Sequence, residues 1–206
     1  MTSPSDLRTH PARVLSELRK YRLIAVVRLP SGAEALAMGR ALAEAGVRAI
    51  EVTYTTPDAS DVIGSLKAEL EGTVLVGAGT VHTPERVRMA ADSGADFLVS
   101  AGAPPALIEV MLSTDLLVVP GVFTATEIIT AQSLGVLAVK LFPASVIGPP
   151  GLKSLRGPFP DLPIIATGGI TVEQIDSWLD AGAHAVGVGG DLMSKLVDGE
   201  IRGDSK

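Results

Sequence analysis

The chain has 206 residues, of which 47% are hydrophobic, 19% charged and 3% aromatic, and its formal net charge is -6. That size suits one domain, spanning 1–206, with a substantial core; the acidic balance leaves no basic footprint for a phosphate backbone, and the few aromatics leave few stacking platforms, so nucleic acid is not an expected partner. The absence of cysteine excludes a disulfide framework, a thiolate nucleophile and a Cys-based metal site.

The first recognisable segment, "DLRTHPARVLSELRK", reads as a helix, and the N-terminal residues hold no apolar signal core. Short apolar runs then recur along the chain: "LIAVVR" (23–28), "AIEVTY" (49–54), "VLVGAGT" (74–80), "FLVS" (97–100), "LLVVPG" (116–121), "AVKLFP" (138–143), "IIATGG" (164–169) and "AVGVGG" (185–190). Each is a near-continuous Val/Ile/Leu run, as expected of a strand buried on both faces of a parallel sheet. Such runs account for the mean hydropathy of +0.38, and none approaches the ~20 apolar residues that span a bilayer. A cytoplasmic protein without membrane contact is expected.

Helix-like segments separate the runs. "TPERVRMAADSG" opens with Thr83 as N-cap and Pro84 at the first helical position. "TATEIITAQSLG" carries Thr124 and Glu127 at capping-box spacing, and "TVEQIDSWLDAG" opens on Thr171. Gly46, Gly94, Gly135 and Gly182 each stand just past a helix and shortly before a strand, the place of a left-handed C-cap. Helix–strand alternation of this kind implies parallel βαβ units. The reading is α/β: a compact (β/α)8 TIM barrel, shorter than the ~250 residues usual for one. An open doubly wound sheet is the alternative; the count of eight and the polar residues at the strand ends favour the barrel. The N-terminal helix then caps the barrel's bottom, and "LMSKLVDGEIRGDSK" leaves room for only a short last helix.

In a barrel, chemistry collects at the C-terminal strand ends. Ionisable side chains interrupt three of the runs: Arg28, Glu51 and Lys140. A lysine between Val139 and Leu141 is either paired to satisfy its charge or a nucleophile. Burial disfavours a charged amine, and a neutral amine attacks carbonyl carbon to give a Schiff base. Glu51 is its natural partner, as a salt bridge or as a general acid/base. Glycine pairs, Gly168-Gly169 and Gly189-Gly190, end the last two runs; they are either tight turns or an anion cradle at the usual barrel phosphate position. "GAGT" (77–80) lacks the third glycine and following acid of a dinucleotide loop. His10, His82 and His184 are scattered, without metal-ligand spacing, and no G-x-S-x-G elbow occurs.

"IEVTYTTPDA", "VGAGTV", "VKLFPAS", "GPFPDLPIIATGGI" and "VGVGG" together resemble the 2-keto-3-deoxy-6-phosphogluconate (KDPG)/4-hydroxy-2-oxoglutarate (KHG) aldolase family, from about Leu23 to Leu192. The resemblance implies a class I aldolase on a compact (β/α)8 barrel, a homotrimer acting on a small 2-keto acid without metal or cofactor beyond the covalent Schiff base. It makes Lys140 the Schiff-base lysine and Glu51 the acid/base. It places Thr80 and Thr167 near the pyruvyl carboxylate, Phe142 against the substrate, and Arg28 at the end of the first strand. Pro120 joins these at the end of the fifth strand, and Gly168, Gly169, Gly189 and Gly190 line the phosphate end. Three positions depart from the family pattern. Thr55 stands where many members have arginine, Ala101 where they have proline, and Asp191 where they have serine. Asp191 is expected either to turn away and cap the following helix or to signal a non-phosphorylated substrate. The alternatives are an aldolase for the galactonate epimer, a phosphate-binding barrel with non-aldol chemistry, and a non-catalytic oligomeric scaffold.

Overall fold

The computed structural model describes residues 10–200. The first helix, α1 (His10–Tyr21), begins within the predicted segment; positions 6–9 of that segment lie outside the described residues. Strands β1 (Leu23–Val27), β2 (Ala49–Thr53), β3 (Leu75–Gly79) and β4 (Phe97–Val99) follow, each trailed by a helix: α2 (Gly32–Glu44), α3 (Ala59–Glu69), α4 (Pro84–Asp92) and α5 (Pro105–Leu112). Next come β5 (Leu117–Val119), β6 (Gly121–Val122), α6 (Ala125–Ser133), β7 (Val139–Leu141), α7 (Gly148–Arg156), β8 (Ile164–Thr167), α8 (Ile175–Asp180), β9 (Ala185–Val188) and α9 (Gly190–Val197).

The eight predicted runs therefore make nine strands. Every pairing is parallel, and the order is β5-β4-β3-β2-β1-β9-β8-β7-β6. The terminal members of that order, β5 and β6, are consecutive in the chain and meet at Pro120. They are one stave of an eight-stave barrel, paired to β4 below the proline and to β7 above it. The fifth run was expected as one strand over 116–121; Pro120 splits it because proline has no N–H to give the ladder. Its carbonyl still accepts from Lys140 N at 2.9 Å, so the ring closes through this residue.

The local signals act as read. Thr83 Oγ1 accepts from Arg86 N at 3.2 Å. The Thr124–Glu127 capping box forms, with Glu127 Oε2 accepting from Phe123 N and Thr124 N at 2.9 and 2.8 Å. Those bonds hold the Glu127 carboxyl below its ordinary range, the Phe123 amide contributing most. Gly46, Gly94, Gly135 and Gly182 all adopt positive φ. Thr171 opens a 3-10 turn (Val172–Gln174) that leads into α8, not an α-helix directly. Helix α9 is short, as expected.

Side chains alternate across each strand, which sorts the core into two shells. The outward residues pack under the helices. The inward residues of the lower barrel, among them Ile24, Ala49, Phe97, Leu117, Ala138, Ile165 and Ala185, pack against Val14 and Leu18 of α1. The helix closes the barrel's bottom with side chains buried from solvent, and apolar burial of this kind contributes about 1.5–3 kcal/mol per large side chain. Two residues further along the same inward faces the chain turns polar. Glu51 follows Ala49, Lys140 follows Ala138, and Thr167 follows Ile165. Among the described residues no helix is long and apolar enough to cross a membrane.

Candidate active site

Lys140 sits at the middle of β7, between Val139 and Leu141, which face the outer core and are fully buried. Its own side chain points into the barrel and is 6% exposed. Glu51 projects inward from β2 and is 2% exposed. Lys140 Nζ lies 3.9 Å from Glu51 Oε1, a charge contact too long for a hydrogen bond. Among the described residues, Oε1 has no hydrogen-bond partner. A buried carboxylate oxygen without a partner is costly, and such groups concentrate where a ligand completes the bonding. The Phe142 ring, two residues beyond the lysine on the same face, has its centroid 4.8 Å from Nζ.

The glycine of the third strand end explains how Glu51 reaches this position. A Cβ on Gly79 would stand 2.0 Å from Oε1 and 2.7 Å from Cδ and Cγ of Glu51. Only glycine leaves that space on β3. Thr80 follows with φ 57, a left-handed conformation uncommon for a β-branched residue. Its Oγ1 accepts from Arg28 Nη2 at 3.4 Å, so the first and third strand ends are linked.

Thr167 is buried and inward-facing on β8, against Gly187 of β9. Gly168 takes φ +103, and a Cβ there would meet the Phe142 ring at 2.9 Å. Gly169 adopts φ +70 beside Ser145. Gly189 precedes α9 and Gly190 opens it, and no side chain caps the backbone N–H groups of that first turn. Asp191 lies in the same turn. It does not cap α9: its Oδ2 accepts from Val172 N at 2.8 Å and ties the loop after β8 to the start of α9. Thr55 is exposed and its hydroxyl is 2.8 Å from that of buried Thr53.

Lys140 thus faces both Glu51 and Phe142, Arg28 joins Thr80, and Phe142 reaches Gly168. Pro120 enters only through its carbonyl, which fixes the lysine's backbone. The two glycine pairs stand at the ends of neighbouring strands. Two residues add to those singled out in the sequence: Arg86, and His82, which the sequence shows only as a scattered histidine without metal-ligand spacing. His82 stands two residues beyond Thr80, and its proton affinity is lowered first by burial and then by Arg86, Lys140 and Arg28. Arg86, on the first turn of α4, donates through Nη1 to Thr80 O at 3.2 Å. Their place just after a strand end was the available signal, since barrel loops on that face carry function. Among the described residues no group of three or more His, Asp or Glu side chains is arranged to hold a metal.

Comparison with known proteins is consistent with this geometry. A family model described as KDPG and KHG aldolase matches residues 14–201. The 2-dehydro-3-deoxy-6-phosphogalactonate aldolase of Escherichia coli is 36% identical over 174 residues, 84% of this chain and 85% of that protein. The 2-dehydro-3-deoxy-phosphogluconate aldolase of Pseudomonas aeruginosa is 35% identical over 189 residues, 91% of this chain and 85% of that protein. The crystal structure of the Legionella pneumophila KDPG aldolase, with pyruvate captured as a covalent carbinolamine, superposes with a TM-score of 0.81. It is 27% identical, covering 90% of this chain and 91% of that one. The chain belongs to the KDPG and KHG aldolase family and is a carbon–carbon lyase of the pyruvate aldolase kind.

Proposed function

We propose that the protein is a class I aldolase that reversibly cleaves a 2-keto-3-deoxy-6-phospho sugar acid to pyruvate and glyceraldehyde 3-phosphate, with Lys140 as nucleophile and Glu51 as acid/base. The observation that carries this reading is the buried Lys140 amine 3.9 Å from an unpartnered Glu51 oxygen, at the polar layer of the barrel.

Lys140 Nζ, in its neutral form, attacks the C2 carbonyl, and the oxygen takes a proton to give a carbinolamine. Glu51 in its acid form donates a proton as the C2 hydroxyl leaves as water, and an iminium remains. The C3–C4 bond breaks with its electron pair moving toward the iminium nitrogen. Glu51, now a carboxylate, accepts the proton of the C4 hydroxyl, directly or through water, as the aldehyde forms. The enamine takes a proton at C3, and water hydrolyses the imine to pyruvate and free lysine. One carboxyl group can serve both transfers because losing its proton in the dehydration leaves the carboxylate that the C–C cleavage needs.

Arg28, Thr80 and Thr167 lie where the pyruvyl carboxylate belongs in this reading, with Phe142 beside the carbon chain. Gly168, Gly169, Gly189 and Gly190 form the phosphate end, where backbone N–H groups favour an anion. Asp191 is engaged with Val172 N, which leaves the cradle to the glycines. The galactonate epimer is a second reading, supported by the 36% identity to the Escherichia coli enzyme. Cleavage of 4-hydroxy-2-oxoglutarate to pyruvate and glyoxylate uses the same steps. The reading carries a homotrimer in the cytoplasm, and the exposed apolar side chains of Ile129 and Val146 are in keeping with self-association.

Borohydride reduction with pyruvate tests the reading. The expected result is covalent mass on Lys140, with pyruvate release lost in Lys140→Ala. Trapping at another residue, or activity retained in K140A, refutes it. Pyruvate release measured across 2-keto acid epimers distinguishes the substrates, and its absence from all of them would favour a scaffold.

A further inference from the structure

Thr80 occupies a conformation that glycine would adopt more readily, yet the chain places a β-branched hydroxyl residue there. Two guanidinium groups hold it, one at the side chain and one at the backbone. Arg28 Nη2 meets Oγ1 at 3.4 Å, and Arg86 Nη1 donates to the carbonyl oxygen at 3.2 Å. Arg86 is itself fixed. Its backbone N–H is bonded to Thr83 Oγ1, and its guanidinium lies 5.6 Å from the centroid of the Tyr54 ring. Tyr54 is anchored in turn, through its N–H to Gly79 O at 2.8 Å and its hydroxyl to Ser60 Oγ at 2.9 Å. Among the described residues neither Arg28 nor Arg86 forms a salt bridge, so neither charge is neutralised by a neighbouring carboxylate.

We propose that Arg86 is a positioning residue: by holding the Thr80 carbonyl it fixes the left-handed turn that aims Oγ1, and Arg28 with it, at the substrate's carboxylate. This rests on the aldolase reading, which supplies the carboxylate. Arg86 acts through Thr80 and need not touch substrate. A surface arginine would also stack on Tyr54, but it would not govern how pyruvate binds. The field of the two guanidinium groups reaches His82 as well, whose proton affinity they lower after burial has done so.

The test is pyruvate-dependent borohydride trapping on Lys140, followed by mass spectrometry over a range of pyruvate concentrations. The proteins are wild type, Arg86→Met, Arg86→Gln, Thr80→Ala and the R86M/T80A double variant. R86M is expected to raise half-saturating pyruvate about tenfold, the scale of a lost charge-assisted hydrogen bond, with little change in the limiting trapping rate. T80A is expected to do the same, and the double variant to be no worse than T80A alone, because the two changes remove one interaction. R86Q keeps an N–H donor for the carbonyl and is expected to recover most of the binding.

Half-saturation in R86M equal to wild type overturns the proposal, as do R86M and T80A effects that multiply. Should R86M fail to fold by circular dichroism, Arg86→Leu takes its place in the cycle, with R86Q again the rescue. If wild type traps pyruvate on Lys140 while R86M is unchanged, only the role of Arg86 falls. If wild type traps none, the aldolase reading falls and this proposal with it.

Discussion

Replacing Gly79 with alanine adds a single methyl group, and the structure locates what it strikes. The new Cβ would stand 2.0 Å from Glu51 Oε1 and 2.7 Å from both Cδ and Cγ. Comfortable contact begins near ~3.5 Å, so the carboxyl group must move by about 1 Å or more. Rotating the far end of the side chain does not relieve the clash, because Cγ is also too close. Glu51 is hemmed in by the buried inner layer, so the shift is at the expense of its distance to Lys140. A misplacement of ~1 Å can cost about 10²-fold in rate, or ~2.7 kcal/mol of barrier. Overpacking costs about 1–3 kcal/mol of stability besides. The assay is kcat/KM for pyruvate release, with thermal melting alongside. Gly77→Ala is the control: its Cβ would meet the Phe97 ring at 2.3 Å, in the apolar layer rather than at the carboxylate. G77A is expected to lower the melting temperature with a smaller effect on rate per folded molecule. G79A turning over at the wild-type rate, or G77A and G79A losing rate equally, would refute the idea that Gly79 exists to seat Glu51.

Glu51→Gln keeps the shape and removes the proton transfer, so turnover is expected to fall by about 10²–10⁴-fold with the fold intact by circular dichroism. Near-normal turnover would remove its acid/base role. His184 gives a pH prediction. Burial lowers its proton affinity below the ordinary 6.5, the bond between Nε2 and Leu15 O only partly offsetting this. The unfolded chain therefore binds a proton more readily than the folded one. Stability is fully present above 6.5 and declines as pH falls from there toward the lower folded value. Melting temperature is expected to drop across that window, and His184→Gln to flatten the drop. Parallel melting curves for the two proteins would contradict it.

Much of the fold was legible because each unit repeats its own punctuation. Helices closed by Gly46, Gly94, Gly135 and Gly182, each followed by an apolar run, mark βα units regardless of what packs around them. Lys140 and Glu51 were legible for a related reason: an ionisable residue inside such a run must lie on the inner face or be paired. The split at Pro120 was not, since it depends on which neighbour each half of the stave adopts, β4 or β7. The partner of Asp191 was hidden as well, because Val172 belongs to the adjacent loop and no local rule joins them. Arg86 was missed because its direction follows from the left-handed turn at Thr80, which threonine does not advertise.

The order of the sheet divides the barrel into two arcs of sequence-adjacent strands, β1 to β5 and β6 to β9. Among the described residues the strand ring itself is continued between the arcs at two seams: the chain through Pro120, and the β1–β9 ladder that pairs Leu23 with Val186. Glu51 belongs to the first arc and Lys140 to the second. The base and the nucleophile are therefore never neighbours within one half. Their 3.9 Å approach spans the two arcs, which makes it a report on the closed ring. A fluctuation that parts β1 from β9 is expected to loosen the pair. Side chains along that seam, remote from any substrate, thereby acquire a hold on the chemistry.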